Sequence, residues 1–403
     1  MKKFTKMWAI AACALFAGTA AVNAEDYTWK FVTAGDATTY AIRSDGSLWS
    51  WGWNEKGQGG NGVSERTATP TLADGNRVWK KAVGGKAYGF FLAEDGSLWA
   101  AGTHEGGVQG TNDGIDHKVL TRIGTDNDWA DMACSRFWGY SGFAIKTNGT
   151  LWAWGKNSAG QLGIGNTQAQ TAPVQVGADM DWKQVAAGCS SVLALKTDGS
   201  LWGWGFNMYS ELFGHEGKQL SPVRLGSETD WEQVVVIDFR AYAVKKDGTL
   251  WAWGDNANNL LGFNTPTEEE TTAEGNPVEV VTVPQITAPT HVTSIEGKVL
   301  TISGCENTLS VATGTDGVIE KVWMLGSNTD GALGDGKGLG NGNKDIPFAK
   351  VPVHPRALRR RRSRPLRRAA SECPHRPQRS PPPSAGCASP AAPKRCPPRT
   401  PPP

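Results

Sequence analysis

Glycines, carboxylates and nucleophile–base pairs are the residues of this 403-residue chain whose types and spacing could do chemistry. Gly57-Gln58-Gly59-Gly60-Asn61-Gly62 fits the GxGxxG spacing that cradles a dinucleotide pyrophosphate. That chemistry needs a helix N-terminus directly after the glycines. No helical periodicity follows, and a counterpart, AGQLGIG, stands at 159–165, so the glycines belong to a repeated turn. Asp330, Asp335 and Asp345 in NTDGALGDGKGLGNGNKD (328–345) suggest calcium, but the loop spacing and the closing bidentate glutamate are missing. The seven cysteines form no CxxC pair, no GxSxG occurs, and His104, His117, His215 and His291 stand apart. No catalytic, cofactor-binding or metal-holding residue is assigned, and no cofactor is expected.

Recognition chemistry remains. The stretch CSRFWGYSG (134–142) brings Arg136, Phe137, Trp138 and Tyr140 together. Arg, Trp and Tyr are the types enriched at binding hot spots. Trp53 and Phe206 occupy a position that elsewhere holds Lys156 and Asp255, and Tyr209 lies close by. The competing reading of the 134–142 cluster is a private aromatic pack folded back over its own sheet.

Spacing separates these aromatics from the rest of the 18 tryptophans. Trp29, Trp79, Trp129, Trp182 and Trp231 open units of about fifty residues, and Trp49, Trp99, Trp152, Trp202 and Trp251 recur later in each. A sixth, degraded unit carries Trp323. One unit reads WKQVAAG, SVLALKTDG, SLWGWGFN, a Gly/Asn-rich loop, then SPVRLG. Short apolar runs bounded by turn residues suit buried strands. Each unit turns on an Asp-Gly or Asn-Gly pair ending in Gly46, Gly96, Gly149, Gly199 or Gly248, which predicts a two-residue type I′ hairpin. Between the paired tryptophan positions stands a small residue: Ser50, Ala100, Ala153, Gly203 or Ala252. That predicts close packing of one sheet on the next. Four strands per unit without helical periodicity predict an all-β fold, a β-propeller of four-stranded blades. The repeated tryptophans and turn glycines are structural in this reading.

DGSLWGWG (198–205), and KNSAGQLGIG (156–165) after the equivalent phrase of the preceding unit, resemble the regulator of chromosome condensation repeat family over about 29–353. Units two and six depart from the pattern, with Ala101 and Leu325 where a second tryptophan stands elsewhere. The resemblance implies a propeller, usually seven-bladed, that serves as a protein-binding platform. Six units are readable here, and seven are expected of an intact version. Founding members exchange nucleotide on a nuclear GTPase, and secreted bacterial members also exist.

The ends differ in character from the body. Residues 1–24 read as a secretory signal, with Lys2, Lys3 and Lys6 before an apolar run and Val22-Asn23-Ala24 at the cleavage position. Ile10-Ala11-Ala12-Cys13 resembles a lipoprotein box, but too few apolar residues precede it, and cleavage after Ala24 is the expectation. Residues 354–403 hold 13 Lys+Arg, one acid and 14 prolines. Three readings compete for this tail: a frame-shifted product in place of a seventh blade, inert disorder, and a basic arm centred on Arg359–Arg368. Without the two ends, residues 25–353 carry 25 basic and 38 acidic residues, a net charge of −13. An acidic body argues against binding nucleic acid. The expected protein is therefore an exported, monomeric, non-catalytic binding module for a protein or glycan, secreted, periplasmic or at the cell surface, with no transmembrane segment. A propeller hydrolase or lyase acting on a polymer is the alternative, and a nucleotide-exchange factor a weaker one. The loop between strands one and two should share a face with the loop between strands three and four. That places Arg136, Phe137, Trp138 and Tyr140 beside Trp53, Phe206, Tyr209 and the Glu268-Glu269-Glu270 run.

Overall fold

A computed structural model describes residues 28–136, 139–257, 261, 263, 285–305, 308–326 and 349–351. The signal segment, Phe137, Trp138, the Glu268-Glu269-Glu270 run, the 328–345 loop and the basic tail lie outside them. Six antiparallel four-stranded sheets, each in simple up-and-down order, form the blades of a propeller. Their strands fall within 29–74, 79–122, 129–175, 182–224, 231–291 and 299–351. Blade 4 shows the unit: Trp182–Ala187, Ser191–Lys196, Leu201–Asn207 and Gly217–Arg224. First strands neighbour one another around the axis, and fourth strands form the rim, where Leu72 and Val119 are exposed.

The apolar cores lie between blades rather than within them. At the seam of blades 4 and 5, Leu193, Leu195, Leu201, Leu212 and Leu225 meet Trp231, Val234, Val236 and Trp253. The small residue between the tryptophan positions, such as Ala153 or Ala252, is fully buried, as expected of sheets packed face to face. The second tryptophan also ties blades polarly. The indole N–H groups of Trp154, Trp204 and Trp253 donate to carbonyls of the preceding blade: Val108 at 2.7 Å, Gln161 at 2.8 Å and Glu211 at 2.8 Å. Backbone straps repeat at the other end of each seam. The Gly149 carbonyl accepts the Trp182 N–H at 3.1 Å, and Gly199 does the same for Trp231 at 3.2 Å.

The hairpins correct the sequence expectation. In the five repeated turns only the glycine has positive φ, for example +80° at Gly149 and +86° at Gly199. The Gly199 N–H bonds the Lys196 carbonyl at 3.0 Å, and Lys196 N–H bonds Ser200 at 3.1 Å. These are three-residue loops, a type I turn closed by a glycine bulge. The aspartate keeps negative φ because its side chain is engaged. Asp198 Oδ1 accepts the Ser200 N–H at 2.8 Å and its hydroxyl at 2.6 Å, and Ser200 Oγ then accepts the Trp202 indole N–H at 2.9 Å. The same relay orients Trp49, Trp99, Trp152 and Trp251. Blade 6 has the two-residue turn instead. Asp316 and Gly317 both have positive φ, and the Trp323 indole goes to Thr313 Oγ1 at 3.1 Å.

A cation completes each aromatic pair. Lys196 Nζ lies 5.0 Å from the Trp182 ring and 4.5 Å from Trp202, held by Asp179 at 2.7 Å and Asp181 at 3.1 Å. Lys146 and Lys245 do the same in their blades. Blade 2 has Ala93 at that position, and Arg77 covers Trp99 from the preceding linker at 4.0 Å.

Candidate functional site

The loops between first and second strands stand at one end of the central first strands, the mouth of the propeller. They hold the half-buried Asp36, Lys86, Arg136, Cys189 and Asp238 in blades 1 to 5. Arg136 Nη1 donates to the Ala34 carbonyl at 3.3 Å, which carries the blade 3 loop to blade 1. Arg136 also acts electrostatically on Asp238 of blade 5. Asp238 adopts φ +53°, a left-handed conformation uncommon outside glycine. Its carbonyl accepts the Cys189 N–H at 3.3 Å, its Oδ1 lies 3.6 Å from the Cys189 thiol, and Arg240 stands 3.4 Å from Oδ2. Burial raises the Asp238 carboxyl above the usual range, against the opposing pull of Arg240, the thiol and Arg136.

Loops between third and fourth strands border this mouth. Trp53 N–H bonds the Ala37 carbonyl at 2.8 Å, and Phe206 N–H bonds Ser190 at 2.9 Å, so both residues sit directly beside a first-to-second loop. Tyr209 reaches the next blade, where its ring packs 5.1 Å from Phe239, the neighbour of Asp238. Trp53, Phe206 and Tyr209 are all half-buried. The indole of Trp53 bonds Glu55 and, together with Arg66, holds that carboxyl below its ordinary value.

Tyr140 is elsewhere. It is 5 % exposed, has φ +45°, and packs 5.9 Å from Tyr88 in the core between blades 2 and 3. The last aromatic of the 134–142 insertion is therefore a seam residue. Its neighbours Phe137 and Trp138 fall outside the described residues.

The other candidates resolve simply. Gly57 and Gly62 clasp the fourth strand of blade 2, with Gly62 N–H on the Lys118 carbonyl at 2.8 Å, and no helix follows. His104 and His117 pair with Asp116 and Asp113, each at 2.7 Å, in one loop of blade 2. Among the described residues no three His, Cys, Asp or Glu side chains gather in a metal-holding group. None of their helices is long and apolar enough to cross a membrane. The mouth offers charged hydrogen-bonding groups flanked by aromatic edges, an arrangement suited to docking. Sequence reading missed Cys189, Asp238, Phe239 and Arg240, because neighbouring units bring this rim together.

Comparison with known proteins agrees with this architecture. The family described as "Regulator of chromosome condensation (RCC1) repeat" matches residues 45–92 and 148–195, and a second profile of that description matches 29–58. The chain is 30 % identical over 163 residues to the ultraviolet-B receptor UVR8 of Arabidopsis thaliana, a match covering 40 % of this chain and 37 % of the receptor. The alignment thus spans well under half the length of that relative. Human WBSCR16 superposes with a TM-score of 0.66 at 17 % identity, over 82 % of this chain and 83 % of that one. Prp20p from Saccharomyces cerevisiae gives 0.62 at 18 %, over 80 % and 75 %.

Proposed function

We propose that this chain, which belongs to the regulator of chromosome condensation repeat family, is an exported, non-catalytic platform that docks a protein partner on the face carrying its channel mouth. The observation that carries this reading is the convergence of two loop sets on one rim, with Tyr209 against Phe239 and Arg136 reaching from blade 3 to blade 1. Arginine and tyrosine at the centre of a partly buried rim are the groups that anchor interfaces. Yeast Prp20p, of the same fold, is known for binding Gsp1p and histones, which supports a protein as the partner class. The apolar run and small-residue cleavage position of 1–24 support export. The acidic balance of 25–353 weighs against a nucleic acid.

Capture from envelope and culture-fluid proteins, run beside a turnover panel of glycans and peptides, tests this proposal. A stable partner with no turnover is expected. Turnover of a polymer without a retained partner would replace the platform with a propeller enzyme.

A further inference from the structure

We propose that the loop 207–212 of blade 4 is a proton-controlled latch: with Glu211 protonated it holds Tyr209 against Phe239, and ionisation of Glu211 releases it. For its consequence in binding, this inference rests on the docking-face reading above.

The equivalent loops of blades 1 and 3 show what the slot accommodates. There a buried glutamine turns its side-chain oxygen back to a backbone N–H two residues earlier: Gln58 to Lys56 at 3.1 Å and Gln161 to Ala159 at 2.8 Å. In blade 2 the equivalent position, whose carbonyl takes the Trp154 indole, holds the apolar Val108. An uncharged side chain occupies this place in all three sister blades. Blade 4 carries Glu211 instead, 0 % exposed. Its Oε2 accepts the Tyr209 N–H at 2.8 Å, and its Oε1 lies 3.4 Å from Ser191 Oγ. Only the protonated acid is, like those residues, uncharged in this buried place.

A second departure strains the same loop. The position of Gly160 in blade 3 holds Ser210 in blade 4, at φ +64°. A side chain there is strained relative to glycine. Ser210 Oγ accepts Gln285 Nε2 of blade 5 at 2.5 Å, and the Glu211 carbonyl takes the Trp253 indole, so the loop is fastened to the next blade at two consecutive residues. The strained serine thus sits between Tyr209 and the buried acid.

Neutral donors offset only part of the burial of the carboxyl. It faces the backbone N–H groups of Met208, Tyr209 and Glu211 and the Ser191 hydroxyl, all uncharged groups. Besides Tyr209, the loop's neighbouring titratable residue is His215, whose Nε2 turns to the Arg224 carbonyl at 3.1 Å. Burial dominates and pushes the Glu211 carboxyl up to about 7. A loop that opens and hydrates the carboxylate returns it to the ordinary range near 4.5. Linkage then fixes the sign: the closed loop is favoured below the raised value, and opening gains as pH rises through it.

Amide hydrogen exchange of the full chain across 206–214, corrected for the intrinsic pH dependence, tests the latch without needing a partner. Protection in the wild type should fall about tenfold between pH 6 and pH 8. Glu211→Gln, which restores the residue of blades 1 and 3, should hold it constant. A parallel NMR titration of the Glu211 side-chain carboxyl should give a midpoint near 7. Equal protection at both pH values in the wild type, the same fall in the variant, or a midpoint below 5 would each overturn the latch. Should the latch behave as expected while no partner is captured, the docking reading fails and the latch stands.

Discussion

The indole N–H of Trp204 donates to the Gln161 carbonyl at 2.8 Å, across the seam between blades 4 and 3. Gly163, at φ +70°, lies so close that a Cβ there would meet the Trp204 ring at 2.8 Å. One tryptophan thus fills the space between two sheets, satisfies its own buried donor, and fixes the height at which the blades register. Trp204→Phe keeps most of the volume but loses the bond, and should cost about 1–2 kcal/mol. Trp204→Ala should cost about 3–5 kcal/mol. Urea unfolding of both variants measures the difference.

Gly149 and Gly177 both have positive φ, +80° and +63°, yet their surroundings differ. A Cβ on Gly149 would sit 2.1 Å from the Met180 carbonyl oxygen, while Gly177 has nothing within 4 Å. Gly177→Ala should therefore cost only the conformational penalty, about 1 kcal/mol. Gly149→Ala must also push the linker off the turn and break the strap to Trp182, and should lose at least twice as much. Equal losses would show that the strap contributes nothing.

Lys196 predicts a coupling. Burial lowers its affinity for a proton, but Asp179 and Asp181 more than offset this and hold the ammonium above its ordinary value. Its contribution is therefore full below about pH 10.5 and fades as pH rises past the folded value. Lys196→Met should cost about 1–2 kcal/mol at pH 7. Replacing Asp179 and Asp181 by Asn in the same chain should recover part of that loss, since blade 2 manages with Ala93 and no aspartate pair in its linker. A double-mutant cycle reads the coupling.

Glu211 predicts how global stability responds to pH. Its folded value, about 7, lies above the ordinary 4.5 of an exposed glutamate, so the fold holds this proton more tightly than the unfolded chain does. Its effect on stability is then nil below pH 4.5, grows more unfavourable up to about pH 7, and stays constant above. Glu211→Gln should leave stability unchanged at pH 4 and raise it by on the order of 2 kcal/mol at pH 8. Thermal unfolding across that range measures the two slopes.

The blade order and the seam tryptophans were legible in the sequence because each seam repeats the same residues at a fixed interval. Turn type was not. Asp-Gly suits a two-residue turn, and only the hydrogen bonds from Ser200 to Asp198 show why the aspartate keeps negative φ. Tyr140 was misread because an inserted aromatic looks like surface until its neighbour across the seam, Tyr88, is known. The channel rim was illegible for a different reason: Arg136, Cys189 and the Asp238/Arg240 pair come from three different units, and nothing in one unit announces the others. Glu211 did leave a trace, as an acid where sister units have Gln58 and Gln161, visible once the loops are aligned.

The docking face is tested most directly by the affinity of a captured partner for three proteins. These are the wild type, an Arg136→Ala/Phe206→Ala/Tyr209→Ala variant, and a Met180→Ala variant altered at an exposed residue beside the Gly149 turn on the opposite face. All three should show the same thermal unfolding, which separates binding from folding. The account predicts at least a hundredfold loss for the triple variant and none for Met180→Ala. Unchanged affinity in the triple variant, with the fold intact, would contradict it.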